Sequence, residues 1–283
     1  MTTKISGKRS SRAEMARTTL KALDQGGYSN ARNKWVDIKS HLEIALQGTR
    51  SFAPETCMSP TPVQRNKTHI TVQPTSTIGA LRQLHAEGVT NIACLNFASA
   101  KNPGGGFLNG ALAQEESLAA ASGLYPCLLS QPAYYETNRV CETCLYTDWI
   151  IWSPHVPFLR DDDGAWLDAP FSVGVITAPA PNAGAVHRNE PHRVPEILPT
   201  LRRRAQRLLQ IAATAGVEAL VLGAWGCGVF RNDPAQVAEV FAELLRPDGL
   251  FGGSFQRVVF AIYDSSSGTP VLNAFHAAFP RPQ

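Results

Sequence analysis

Two glycine-rich stretches carry the residue types that could do chemistry in this chain. In the first, Gly104, Gly105 and Gly106 follow Asn102-Pro103, and the seven residues 107–113 separate them from Gln114-Glu115-Glu116. Three successive glycines admit positive φ and let a ligand approach the backbone closely. Two carboxylates opening a helix have an ordinary role, complementing the dipole and its free N–H groups for a few tenths to about 1 kcal/mol. They also have a chemical one. Neighbouring helical residues project roughly 100° apart, so Glu115 and Glu116 are suited to different tasks. One can hold a substrate hydroxyl while the other aims at the bond to be broken.

The second stretch is Gly226-Cys227-Gly228-Val229-Phe230. It follows a continuous apolar run at 219–224 and precedes Asp233-Pro234, a good N-cap and N1 pair with Gln236 at N3. Strand, glycine loop and helix in that order can cradle a diphosphate on backbone N–H groups. No GKS or GKT follows and the third glycine of a dinucleotide fingerprint is missing, so neither of those motifs applies. A tight turn without a ligand is the bland alternative. Phe230 favours the functional one, as a platform for a ribose or base.

The elements that must position these loops alternate. Strands are expected at 70–72, 92–97, 149–152, 173–177, 219–224 and 258–263. Helices are expected at 77–87, 114–122, 196–215, 234–245 and 272–279, with Gly88, Gly123 and Gly216 as stops. In the 196–215 helix Leu201, Ala205, Leu208 and Ala212 form one stripe, which puts Arg202, Arg203 and Arg207 on the wet side. Alternation with near-continuous apolar strands predicts an α/β sandwich with a mixed or mostly parallel sheet. Both glycine loops leave the carboxyl ends of strands, where such sheets bind ligands. Before residue 67 the pattern differs: helices at 13–23 and 36–46 flank a Gly26-Gly27 turn, and Pro54, Pro60 and Pro62 mark a linker or irregular wrap over 51–67.

Composition bounds the function classes. With 283 residues, 44% hydrophobic and 17% charged, the chain can bury a sizeable core. A net charge of +3 gives no reason to expect nucleic-acid binding. Lys4, Lys8, Arg9, Arg12, Arg17 and Lys21 face only Glu14 near the N-terminus and are expected to form a solvated tail or helix start, in preference to a weak anchor for a polyanion. No apolar segment follows them as in a secretory signal, and no run is long enough to span a bilayer, so a cytoplasmic protein is expected, away from membranes. Cys141 and Cys144 form the only CxxC, with no second pair to complete a zinc site, so reduced thiols are expected. His155, His187 and His192 lack ligand spacing and are expected at the surface; Trp225 and Tyr263 are expected to pack.

At this point the residues match a known pattern. The stretch Asn96-Phe97-Ala98-Ser99-Ala100-Lys101-Asn102-Pro103-Gly104-Gly105-Gly106, then Gln114-Glu115-Glu116 after its spacer, resembles the signature of the microbial-type poly(ADP-ribose) glycohydrolases. Gly223-Ala224-Trp225-Gly226-Cys227-Gly228-Val229-Phe230 resembles that family's diphosphate loop, and the likeness holds in order and spacing over about 68–279.

The resemblance implies a three-layer α/β/α macrodomain-like catalytic domain with a mixed sheet over 67–283, preceded by an N-terminal helical extension and linker over 1–66. It implies Glu116 as catalytic carboxyl and Glu115 as the group orienting ribose hydroxyls. Asn102, Gly104, Gly105, Gly106 and Gln114 would line the distal ribose and phosphates. Gly226, Cys227, Gly228 and Val229 would hold the diphosphate, with Phe230 on the terminal ribose and the base near Asp264 or Ser265. No metal or cofactor is implied. Poly(ADP-ribose), ADP-ribose and ADP-ribosylated proteins are the implied partners, in the DNA damage response. The alternatives are a non-catalytic ADP-ribose-binding macrodomain and a mono-ADP-ribosyl hydrolase. A pure reader has no need of the Gln114-Glu115-Glu116 run.

Overall fold

The computed structural model describes residues 2–56 and 67–280, with side chains from residue 8 onward. Cys57, Pro60 and Pro62 lie outside the described residues. In chain order the elements are α1 (Thr2–Gln25), β1 (Gly27–Ser29), β2 (Trp35–Asp37), α2 (Lys39–Gly48), β3 (Arg50–Phe52), β4 (His69–Gln73), α3 (Thr77–Ala86), β5 (Ile92–Phe97), α4 (Gln114–Ala121), α5 (Leu124–Leu129) and α6 (Pro132–Val140). They continue with β6 (Ile150–Arg160), β7 (Trp166–Ala178), α7 (Ala183–Asn189), α8 (Ile197–Thr214), β8 (Ala219–Leu222), α9 (Pro234–Leu245), β9 (Arg257–Ala261) and α10 (Pro270–Ala278).

A seven-stranded sheet in the order β3-β6-β7-β5-β8-β9-β4 forms the middle layer. β7, β5, β8, β9 and β4 run parallel, while β6 is antiparallel to both β7 and β3. This is the expected mixed, mostly parallel sheet. Its central strands are apolar on both faces because both are covered: every residue of β8 is buried, as are Ile92 to Asn96 of β5. One face packs against α7 to α10 through Leu201, Leu208, Phe241 and Phe275; the other packs against α2 to α6 through Leu81, Leu118 and Tyr134. The three layers are those of a macrodomain-like fold.

Local rules set several boundaries. Ser76 caps α3 by accepting from Gly79 N (2.9 Å), and Gly88 and Gly216 follow α3 and α8 at φ 82° and 70°, the left-handed conformation that ends a helix. Gly123 differs. Its φ is −77°, so it is no helix stop; a Cβ there would fall 3.0 Å from the Pro157 ring, and glycine is needed for that close approach. The chain then continues into α5 and α6, which the apolar pattern did not reveal.

Before residue 57 both expected helices form with different bounds, α1 reaching back to Thr2 and α2 starting at Lys39 rather than at residue 36. Trp35–Asp37 pairs with Gly27–Ser29 as a hairpin, because Tyr28 stacks on Trp166 at 4.5 Å and draws Val36 and Ile38 into a small core. Residues 50–52, of which 51 and 52 were expected in the linker or irregular wrap, pair with β6 as an edge strand. Arg202 and Arg203 are exposed as expected, but Arg207 turns back and donates to Ala53 O (2.7 Å) and Pro54 O (2.9 Å). Among the described residues no helix is long and apolar enough to cross a membrane.

Candidate active site

β5 and β8 are adjacent parallel strands, about 4.8 Å apart, so the loops that follow them leave the same sheet edge side by side. Gly223 sits against β5 so closely that a Cβ would fall 2.9 Å from the Phe97 ring.

The first loop leads into α4, whose N-cap, Ala113, offers no side-chain cap. Gln114, expected among the substrate contacts, has its amide engaged by the protein instead. Its Nε2 donates to Leu95 O (2.7 Å) and Thr77 Oγ1 (3.2 Å), and its Oε1 accepts from Phe97 N (2.9 Å). It therefore fixes the start of α4 to β5.

Glu115 follows, 3% exposed. Its Oε2 accepts from Ser99 N (2.7 Å) and its Oε1 from Asn96 Nδ2 (3.3 Å), while Asn96 also donates to Thr177 Oγ1 (3.2 Å). Burial outweighs these bonds and, with the neighbouring Glu116 carboxylate, pushes Glu115 up to about 8. Glu116 is half-buried; its Oε1 accepts from Gly106 N (2.9 Å), and Oε2 has no partner among the described residues.

The glycine turn is shaped around these carboxyls. Gly104 and Gly105 have φ of 66° and 59°. A Cβ on Gly105 would overlap Glu116 Oε1 and lie 3.2 Å from Glu115 Oε2. The two carboxyls thus converge on one point although their helix positions diverge. Gly105→Ala is expected to lower kcat by about 100-fold, because it displaces the carboxyls and strains a left-handed backbone. Single-turnover rates check this; a parent-like rate would show that the turn tolerates a side chain. Asn102 is exposed on the rim, its N donating to Ser99 Oγ (3.1 Å) and its O accepting from Gly105 N (3.0 Å).

In the second loop, the N–H groups of Gly226, Gly228, Val229 and Phe230 donate to no group among the described residues. That leaves a short row of donors for an anion. The two glycines differ. A Cβ on Gly228 meets nothing within 4 Å, so its backbone faces open space. Gly226 has φ 74°, and a Cβ there would fall 2.5 Å from both Ala180 Cβ and Asn232 Nδ2. Gly226→Ala is therefore expected to weaken binding of a diphosphate ligand by about tenfold or more, checked by calorimetric titration; undiminished affinity would remove this loop from the ligand site. Val229 is 82% exposed, and Phe230 is half-buried with its ring 5.9 Å from Tyr146. Burial pushes the Cys227 thiol up to about 12, so it is a neutral thiol rather than a nucleophile.

Sequence reasoning missed several supports. Asn232, 3% exposed, donates through Nδ2 to Pro181 O (2.9 Å) and Gly226 O (3.1 Å), tying the second loop to the segment between β7 and α7. Arg204 is fully buried: Nε donates to Asp148 Oδ1 (2.7 Å), Nη1 to Pro179 O (2.9 Å), and Nη2 to Leu145 O (2.6 Å) and Tyr146 O (2.8 Å). It holds Tyr146 opposite Phe230. Its position three residues after Leu201, on the buried stripe, was the available signal. Trp225 is buried as expected, but Tyr263 is 81% exposed at the end of β9, because the strand ends at Ala261 and leaves nothing to cover it. The Asp264 carboxylate is engaged locally by Ser266 and by Val271 N (2.8 Å) at the start of α10. His155, His187 and His192 are exposed, and no cluster of three possible metal ligands occurs among the described residues.

The sequence profile of the microbial-type PARG catalytic domain matches residues 16–161. The structure of poly(ADP-ribose) glycohydrolase from Thermomonospora curvata bound to the inhibitor ADP-HPD is 45% identical, with a TM-score of 0.89 over 96% of this chain and 100% of that one. The Deinococcus radiodurans poly(ADP-ribose) glycohydrolase in complex with ADP-ribose is 48% identical, with a TM-score of 0.77 over 84% of this chain and 97% of that one. Curated protein sequences give no match.

Proposed function

We infer function from one premise: this chain belongs to the microbial-type poly(ADP-ribose) glycohydrolase family. The protein is a glycosidase that cleaves ribose–ribose O-glycosidic bonds of poly(ADP-ribose) and releases ADP-ribose. The observation that supports a specific assignment of roles is the convergence of Glu115 and Glu116 at Gly105, beside a row of free N–H groups on the adjacent strand's loop.

In this reading the diphosphate lies on the N–H groups of Gly226, Gly228 and Val229, with Cys227 lining the cradle and Phe230 against the terminal ribose. Gly104, Gly105, Gly106 and Asn102 border the distal ribose. Glu116 donates its proton to the leaving oxygen as the C–O bond breaks, and the ribose carbon takes on oxocarbenium character. The resulting Glu116 carboxylate then takes a proton from water, whose oxygen bonds to that carbon, restoring the acid. Gly106 N–H keeps one Glu116 oxygen in place and leaves Oε2 free for the proton transfers. Glu115, held by Ser99 and Asn96, presents its carboxyl to the ribose hydroxyls.

Polymer-bearing proteins of the DNA damage response, met in the cytoplasm, are the partners this reading implies. Release of ADP-ribose from purified polymer by the parent protein, and its loss in Glu116→Gln, tests the assignment; release at the parental rate by that variant removes Glu116 from the chemistry.

A further inference from the structure

The basic N-terminal segment, expected as a solvated tail or helix start, is a helix laid against the catalytic loop. Arg9 Nε donates to Asn109 O and Arg12 Nε to Gly110 O, each at 2.9 Å. The contact is tight: Gly110 has φ 68°, and a Cβ on it would overlap the Arg9 carbonyl. Below the arginines, Ala16 packs with Phe107, Ala119 and Ala120, and Thr19 Oγ1 donates to Ala120 O (2.7 Å).

From Gly110 a short route leads to the acid. Gly110 N donates to Phe107 O (2.9 Å), and Asn109 N and Ala111 N both donate to Gly106 O (3.0 and 3.2 Å). Gly106 N in turn donates to Glu116 Oε1 (2.9 Å). Phe107 also backs Gly104, whose Cβ position is 2.9 Å from that ring. The turn around Glu116 is therefore closed on its outer side by α1. Without the arginines, the carbonyls of residues 109 and 110 have only solvent to hold them, and a loop with three left-handed glycines has little stiffness of its own. Arg9 and Arg12 precede residue 16, where the family match begins.

We propose that Arg12, assisted by Arg9, is a positioning residue for the hydrolysis: it fixes the 106–110 segment so that Gly106 N–H holds Glu116 in its working rotamer. This rests on the assignment of Glu116 above. Arg12 is half-buried and Arg9 exposed, so Arg12 carries most of the effect.

The test uses the full chain. Arg12→Met keeps the stem and removes the donor. It is expected to lower kcat on polymer by about 10- to 100-fold, with the Kd for ADP-ribose within about twofold of the parent. Arg12→Lys should fall between the two in kcat. An unchanged kcat, or a parallel loss of kcat, ADP-ribose affinity and melting temperature, overturns the proposal. If Arg12→Met does not fold, Arg12→Lys alone must lower kcat at unchanged Kd; a parental kcat overturns it. Amide hydrogen exchange separates this from the glycosidase assignment itself. Faster exchange confined to residues 104–111 is expected in the Arg12 variant whether or not polymer is cleaved, and unaltered exchange there sinks the proposal independently of activity.

Discussion

Glu116→Gln is expected to reduce kcat by about 1,000-fold or more while leaving ADP-ribose affinity within a few-fold of the parent. The substitution is nearly isosteric, so Gln Oε1 can still accept from Gly106 N, and the glycine turn has no reason to move. What disappears is the group able to give a proton to the leaving oxygen and take one from water. General acid–base catalysis contributes roughly 10²- to 10⁴-fold, and in the proposed mechanism both proton transfers fall to one carboxyl. A 1,000-fold loss corresponds to about 4 kcal/mol of barrier. Binding should survive because the N–H groups proposed to hold the diphosphate belong to the loop after β8, not to α4. Rapid-quench kinetics with polymer and calorimetry with ADP-ribose separate the two quantities. Equal losses in both would mean that Glu116 is a binding residue and that the chemistry lies elsewhere. The same pair of measurements distinguishes a cleaving protein from a reader, for which the substitution would change neither release nor affinity.

Why were the two loops legible while their supports were not? The loops announce themselves through residue types that carry a penalty elsewhere. Gly104, Gly105 and Gly226 sit at positive φ with no room for a Cβ, and a carboxylate pair opens α4 without another cap. The central strands are equally plain, because a strand covered on both faces must be apolar throughout, as 219–222 is. Supports are different: they work through partners distant in sequence. Arg12 is 98 residues from the carbonyl it holds, and Arg204 is 56 from Asp148. Nothing local distinguishes such an arginine from a solvated one, except in Arg204 its place on the buried stripe. The hairpin of β1 and β2, in place of a helix start at residue 36, has a related cause. Val36 and Ile38 look like the start of a helical stripe, and only Trp166, more than a hundred positions later, draws Tyr28 and its partner strand into register.

Glu115 supplies the second large effect, and it is one of stability. Its carboxyl is almost fully buried, and its proton is lost only at about 8, against 4.5 for an ordinary glutamate. Between those values the folded protein holds a proton that the unfolded chain has released. The stabilisation tied to that proton is complete below about pH 4.5, shrinks as pH rises, and is gone above about pH 8. At 1.36 kcal/mol for each unit of separation, the loss from this group is on the order of 5 kcal/mol across the window. Glu115→Gln removes the titration while keeping the shape and an oxygen that can accept from Ser99 N. The variant's unfolding free energy should therefore decline less between pH 5 and pH 8.5 than the parent's, and at pH 8.5 the variant should be the more stable. Urea titrations at both pH values decide it; parallel parent and variant curves would place the Glu115 carboxyl in contact with water. The physical cause of the penalty is also what suits the residue to its task. In the proposed role, a carboxyl stripped of solvent and kept neutral can donate a hydrogen bond to a ribose hydroxyl without setting a charge of its own against the substrate's phosphates. The cleft thus accepts instability at alkaline pH in exchange for a neutral donor next to its acid.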